Sequence, residues 1–196
     1  QMEYNILDNV KRHEMFPNAM KRFFGEEWNQ TEVDPHVCDR LQHAVNPIDV
    51  GCGFNPYKEF HDNLIGVDIV NKKADFNCDI NYFDPPNDTK FDLAICYGIL
   101  HFNSYDWIRE RLKWVLDNTT IDAQILMKVN PSRKEDQAEE LRNSDVIWFD
   151  KWNRGLADHF ADIYSLEVWN WREWRNPLDN SLRYKFDYRR IGHGLK

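Results

Sequence analysis

Pro47-Ile48-Asp49-Val50-Gly51-Cys52-Gly53-Phe54-Asn55-Pro56 decides the reading of this chain, because an apolar run enters a turn carrying two glycines one residue apart. Gly51 takes a positive φ at little cost, and Gly53 lets the backbone approach a ligand with no side chain between them. The next apolar run, Leu64-Ile65-Gly66-Val67, ends in Asp68, 17 positions after Gly51. That is where a ribose-binding carboxylate stands in nucleotide folds built of strand, helix and strand. The turn and the carboxylate together point to a nucleotide-type cofactor.

Outward from this centre, apolar runs alternate with helical segments, the pattern of a parallel sheet. Strands are expected at 48–50, 64–68, 75–76, 91–96 and 124–129. The last two are near-continuous apolar runs of the kind buried on both faces. Asp34 reads as the N-cap of a short helix with Pro35 at its first position, ending near His43. Ser104 caps a second helix whose apolar positions Trp107, Ile108, Leu112, Val115 and Leu116 recur at helical spacing. Polar helices are expected at 134–142 and 151–161. Two strands, 164–174 and 182–191, then flank Asn176-Pro177-Leu178-Asp179-Asn180, a connection too short for a parallel crossover and therefore an antiparallel hairpin. Alternation in its second strand predicts a packed face of Leu182, Tyr184, Phe186 and Tyr188 and a solvated face of Arg183, Lys185, Asp187 and Arg189. The expected fold is α/β: a doubly wound, mostly parallel seven-stranded sheet with an antiparallel C-terminal hairpin strand and helices on both faces. It forms one domain over 1–196, with an N-terminal helical segment (1–45), a cofactor-binding half (46–131) and a C-terminal half (132–196).

With 196 residues, 42% hydrophobic and 30% charged, the chain has globular composition. A formal net charge of -8 opposes tight, nonspecific binding to a nucleic-acid duplex. No apolar run approaches the ~20 residues of a membrane span, and the N-terminus lacks the basic-then-apolar pattern of a signal peptide, so a cytoplasmic protein is expected. Cys38, Cys52, Cys78 and Cys96 are widely spaced and form neither a zinc ribbon nor a disulfide framework. His13, His36, His43, His61, His159 and His193 lack paired ligand spacing, so no metal is expected and solvated or capping roles are the default.

Asp49-x-Gly51-x-Gly53 followed by Asn55-Pro56 resembles the first motif of the Rossmann-like (class I) S-adenosylmethionine-dependent methyltransferases. A dinucleotide dehydrogenase would need glycine where Pro56 stands. Gly66-Val67-Asp68-Ile69 resembles the second motif, Cys78-Asp79-Ile80 the third, and the run from Phe91 to His101 the fourth strand and its exit. The resemblance covers 48–131 by motif and reaches the C-terminus by element order. It implies S-adenosyl-L-methionine as cofactor, with Asp49 attracting the ammonium and Gly51, Cys52, Gly53 and Asn55 around the methionine end. Asp68 would accept from the ribose hydroxyls, Ile69 would lie against the adenine, and Asp79 and the Ile80 amide would read the adenine edge. Cys96, at the end of the fourth strand, is counted on the cofactor side, with packing as its simpler role.

Methyl transfer from a sulfonium is an in-line displacement that positioning and desolvation largely drive, so no fixed base is required. The acceptor is accordingly read only as a small molecule or an exposed group of a larger one. His101 is either a general base or a packing histidine, and Tyr97 is open in the same way. Asp84-Pro85-Pro86 precedes the fourth strand and reads as a stiff loop rather than an amino-methylating motif. The C-terminal interleaving of Trp169, Trp171 and Trp174 with Arg172, Arg175, Arg183, Arg189 and Arg190 is either a single-stranded nucleic-acid platform or, more simply, a hairpin with aromatics inward and cations outward. A catalytically idle cofactor-binding module is the other alternative. Phe16, Phe23, Phe24 and Trp28 belong to the N-terminal segment, as lid or as core.

Overall fold

The computed structural model describes residues 33–69, 71–137, 139, 149–177 and 179–192. The first helix, α1 (Pro35–His43), starts where the Asp34 carboxylate accepts the His36 amide at 2.9 Å, and it buries Val37 and Leu41. Strand β1 (Pro47–Val50) follows, then β2 (Ile65–Asp68), the short β3 (Phe76–Asn77) and β4 (Phe91–Tyr97). After β4 come α2 (Tyr105–Asp117), whose Ser104 cap accepts the Trp107 amide, β5 (Thr119–Val129) and α3 (Arg154–Tyr164). The chain ends in β6 (Leu166–Arg175) and β7 (Leu182–Arg190).

The seven strands lie in the order β3-β2-β1-β4-β5-β7-β6. Strands β1 to β5 pair in parallel, and β7 runs antiparallel to both β5 and β6, so β6 shares the direction of the first five. Since side chains alternate across a strand, the register assigns two faces. Leu93, Ile95 and Leu126 meet Val37, Leu41, Tyr57 and Leu64 on the α1 face. Ile48, Val50, Ala94, Cys96, Ile125 and Met127 meet α2 and α3 on the other, in the larger core. There Trp152 is fully buried and donates its indole N–H to the Leu100 carbonyl at 2.6 Å, which satisfies the one polar atom its ring brings inside.

Several boundaries differ from the sequence reading. β5 begins at Thr119 rather than 124: its first residues are mostly exposed and Asp122 has φ 67, which breaks the apolar pattern even though Phe91 pairs with Thr119. α3 starts at Arg154, because Asn153 caps it through the Leu156 amide. It ends at Tyr164, with Ser165 left-handed, so β6 starts two residues late. Only a 3₁₀ turn, Lys134–Asp136, stands at the start of the expected 134–142 helix, and 138 and 140–142 lie outside the described residues. Phe16, Phe23, Phe24 and Trp28 lie outside them too.

The solvated face expected for β7 is corrected. Lys185 and Asp187 are 4% and 3% exposed, because the start of α1 packs over them. Lys185 Nζ donates to Asp34 at 3.0 Å, and His36 Nε2 meets Asp187 at 2.8 Å. Simple alternation in β6 fails as well. Trp169 pairs with Asp187 and Arg172 with Lys185, so the strand carries one extra residue, and Asn170 takes φ 53 at the bulge. Trp171 therefore packs on Tyr184 and Phe186 inside, while Trp174 stands with the cations on the α1 face.

Candidate active site

The glycine turn leaves β1 at the carboxyl edge of the sheet. Gly51 has φ +70, and a Cβ there would sit 2.9 Å from the Cβ of Ile99, so only glycine lets the β4 exit close over the turn. Gly53 has φ +54 and nothing within 4 Å of a notional Cβ, which leaves its flank open. Asn55 is also left-handed, at φ 58, and its amide donates to the Lys73 carbonyl at 3.2 Å, tying the turn to the segment after β2. Pro56 follows directly.

Two carboxylates face this turn. Asp68 accepts the Gly53 amide at 3.0 Å and the Asn71 amide at 2.9 Å, so the glycine turn and the end of β2 are joined through it. Asp49, inside β1 on the α1 face, is 3% exposed. Burial, with the negative charge of Asp68 as a second cause, pushes its carboxyl up to about 8. Among the described residues no side chain donates to it and no cation is paired with it. The thiols of Cys52 and Cys96 are buried, and burial raises both above the usual thiol range. Cys96 lies within the larger core, so what it presents to the edge is backbone.

Farther along the edge, Asp79 caps the 3₁₀ turn Ile80–Tyr82 by accepting the Asn81 amide at 3.1 Å, and its other oxygen pairs with Arg111 of α2. Both partners are nearly fully buried, and the guanidinium lies 3.9 Å over the Trp107 ring. Sequence reasoning missed Arg111. The signal was its position, since 111 falls on the same stripe as Ile108, Leu112 and Val115. Ile69 is half-buried beyond β2, and Ile80 is buried in the larger core.

His101 is buried at the β4 exit. Its Nδ1 accepts the Asn130 amide at 3.1 Å, which leaves the proton of the neutral ring on Nε2, and its carbonyl accepts the Phe149 amide at 2.9 Å. Burial first, and then the positive charges of Arg183 and Lys128, lower its pKa to about 3, against an opposing backbone hydrogen bond at Gly98. Tyr97 donates its hydroxyl to Asp34 at 2.9 Å, and burial raises its pKa. Asp34 is thus shared by Tyr97, Lys185 and the His36 amide. Burial opposes its ionisation, but these hydrogen bonds outweigh burial and hold it below the ordinary carboxylate value. Tyr97 and His101 do not converge: one faces the Asp34 cluster, and the other ties β4 to the β5 exit.

No family model and no curated protein matches the chain in sequence. Solved structures match in fold. The 1,6-didemethyltoxoflavin-N1-methyltransferase of Burkholderia thailandensis, with bound 1,6-didemethyltoxoflavin and S-adenosylhomocysteine, aligns over 97% of this chain and 90% of its own, at TM-score 0.68 and 13% identity. The N-methyltransferase NodS of Bradyrhizobium japonicum WM9, in complex with S-adenosylhomocysteine, covers 91% of this chain and 99% of its own, at 0.65 and 9%. Magnesium protoporphyrin IX methyltransferase of Synechocystis PCC 6803, with bound S-adenosylmethionine, covers 96% of each, at 0.57 and 11%. The fold is that of the Rossmann-like S-adenosylmethionine-dependent methyltransferases, including the antiparallel strand inserted next to the last.

Proposed function

We propose that this chain is an S-adenosylmethionine-dependent methyltransferase that acts on a small molecule or an exposed group of a larger one by in-line transfer. The observation that carries the reading is Asp49: a buried carboxyl with no cation paired to it among the described residues, beside a second carboxylate and an open glycine turn. Burying a carboxyl uncompensated is costly, and a ligand ammonium removes the cost. Asp68, which accepts the Gly53 amide, would take the ribose hydroxyls. The Asp79 and Ile80 turn, braced from α2 by Arg111, would hold the adenine end. The donor set therefore fits the cofactor from its methionine end to its base.

When bound, the cofactor supplies a methyl group on a positively charged sulfur, a leaving group that needs no acid. What the chain must do is hold, orient and exclude water. Ile99, closed against Gly51, and the buried Leu100 and His101 make the β4 exit dry and rigid. His101 acts here as a positioning residue: a ring with a pKa of about 3, whose Nδ1 is occupied by an amide, is a poor base near neutrality. Tyr97, bonded to Asp34, forms a wall of the acceptor side rather than a base. Four free cysteines accord with a reducing, cytoplasmic setting. No helix among the described residues is long and apolar enough to cross a membrane.

Calorimetry with S-adenosylmethionine, S-adenosylhomocysteine and NAD on the native chain and on Asp68→Ala tests the reading. Expected are binding of the first two, weak or absent binding of NAD, and a large loss in the variant. Equal binding of NAD, or an unaffected variant, would sink the cofactor assignment. Transfer of labelled methyl groups to extract fractions separates the enzyme from an idle binding module.

A further inference from the structure

Cations gather along one edge of the sheet in a chain whose formal net charge is -8. The register sets Tyr97, Lys128, Lys185 and Arg172 side by side on β4, β5, β7 and β6, so all four side chains leave the α1 face near the carboxyl ends of β4 and β5. At the Lys185 and Arg172 end of this row lies an open surface pocket of about 710 Å³ lined by Asp34, His36, Arg40, Arg172, Trp174 and Lys185, among others. Its lining holds three permanent cations, of which Arg40 is paired with Asp39 at 2.9 Å, against one carboxylate, Asp34, which accepts from Lys185 at 3.0 Å and from Tyr97 at 2.9 Å and lies 4.0 Å from Arg172. His36 is paired with Asp187, a second, buried carboxylate that also accepts from Asn170 at 2.9 Å. Two further cations outside the pocket, Arg183 and Lys128, stand near the β4 exit, where after burial they oppose protonation of His101.

We propose that this cavity receives the methyl acceptor, and that the acceptor is a small molecule bearing an oxyanion, a carboxylate or a phosphate, seated against Arg172 and Lys185. The assignment rests on the methyltransferase reading and sharpens it to a substrate class. Arg172 offers a planar fork that matches a two-oxygen anion, and Lys185 adds a buried point charge. Lys185 Nζ lies 5.8 Å from the centre of the Tyr97 ring, and both groups donate to the same Asp34 oxygen. An acceptor anchored at Lys185 is therefore held close to Tyr97, and a small molecule suffices to reach both. A nucleic-acid strand fits the site poorly. The Trp174 ring is already capped by Lys185 at 4.2 Å and Lys128 at 4.8 Å, so that face is not open to a stacked base, and the overall negative charge repels polyanions.

The test titrates the full chain with sodium benzoate and with inorganic phosphate, at ionic strength held constant with chloride, by calorimetry. Native protein is compared with Arg172→Gln, a half-exposed position, and with Asp34→Asn, which keeps a good N-cap for α1. Expected is saturable binding of a probe, weakened at least about fivefold by Arg172→Gln and tightened at least about threefold by Asp34→Asn. Tighter benzoate supports a carboxylate acceptor, and tighter phosphate supports a phosphate ester. Equal affinity in native protein and Arg172→Gln, or no saturation by either probe, overturns the proposal. S-adenosylhomocysteine titrated into the same samples keeps the two ideas apart. If it binds while no anion site exists, only the oxyanion acceptor fails; if it does not bind, the methyltransferase reading fails as well.

Discussion

Replacing Asp49 with asparagine keeps the shape of the side chain and removes its titration, so it isolates what a buried carboxyl does at the glycine turn. In the folded chain the group ionises near pH 8, against 3.8 as its ordinary value. A folded pKa above the unfolded one means that the unfolded state ionises first, so folding stability falls as pH rises from about 4 to about 8. Below that window both states are protonated and nothing is lost. At pH 7 the gap of about 3 units is worth on the order of 4 kcal/mol. Asp49→Asn should therefore match the native chain near pH 4 and exceed its stability increasingly up to about pH 8, as read by urea unfolding at a series of pH values. The same variant should bind cofactor poorly, because the ammonium loses its partner. Native protein at pH 7 holds about 0.9 proton on Asp49 and should release it when the ammonium arrives. Calorimetry with S-adenosylhomocysteine in buffers of different ionisation enthalpy reads that proton as a slope, and in Asp49→Asn the slope should vanish. A native slope equal to that of the variant, together with a stability difference that does not change with pH, would refute the reasoning.

Two glycine substitutions should separate folding from binding. Gly51→Ala combines a positive φ with a clash against Ile99 and should cost about 2–3 kcal/mol in urea unfolding, whereas Gly53→Ala should cost only about 1–2 kcal/mol but weaken S-adenosylhomocysteine at least tenfold by calorimetry. Arg111→Met strands the Asp79 carboxylate inside the protein and should lower stability by about 3–5 kcal/mol; an unchanged urea midpoint would remove the bracing role given to the pair. His101→Ala leaves the Asn130 amide without its acceptor, at a cost of about 1–3 kcal/mol. With a ring pKa of about 3, the native rate of methyl transfer should show no inflection from this histidine between about pH 5 and pH 8, and one that disappears in a His101 variant would restore it as a base.

The left half of the sheet was legible because its signals are local. A two-glycine turn, a carboxylate at the end of the next apolar run and a proline where a dehydrogenase has glycine all lie within 22 residues, from Pro47 to Asp68. The right half depends on contacts between distant segments. Nothing near Lys185 or Asp187 announces that α1, some 150 positions earlier, will cover them, so alternation alone assigned them to water. The Asn170 bulge was invisible for a related reason: one inserted residue inverts the phase of every residue after it, and asparagine in a strand is only a weak hint of a left-handed turn. Arg111 was hidden by its charge, since a cation on an apolar stripe reads as a solvated edge until its partner is known. The candidate site divides in the same way: the residues proposed to hold the cofactor are readable from motifs, and those proposed to meet the acceptor are visible only once β7 is laid beside β5.

That insertion of β7 has a consequence for how the molecule comes into being. β6 is synthesised before β7 yet joins the sheet only through it, so β6 has no strand partner in the sheet until nearly the whole described chain exists. The bonds of the glycine turn itself, from the Gly53 amide to Asp68 and from the Gly51 amide to the Val67 carbonyl, lie within the first two strands and their exits. The β4 exit that closes over it is held by β5 and the segment after it, through Lys128, Asn130 and Phe149. A nascent chain emerging in order can therefore form the glycine turn early and complete the far edge of the sheet last, when Lys185 and Arg172 come to face each other across the final hairpin.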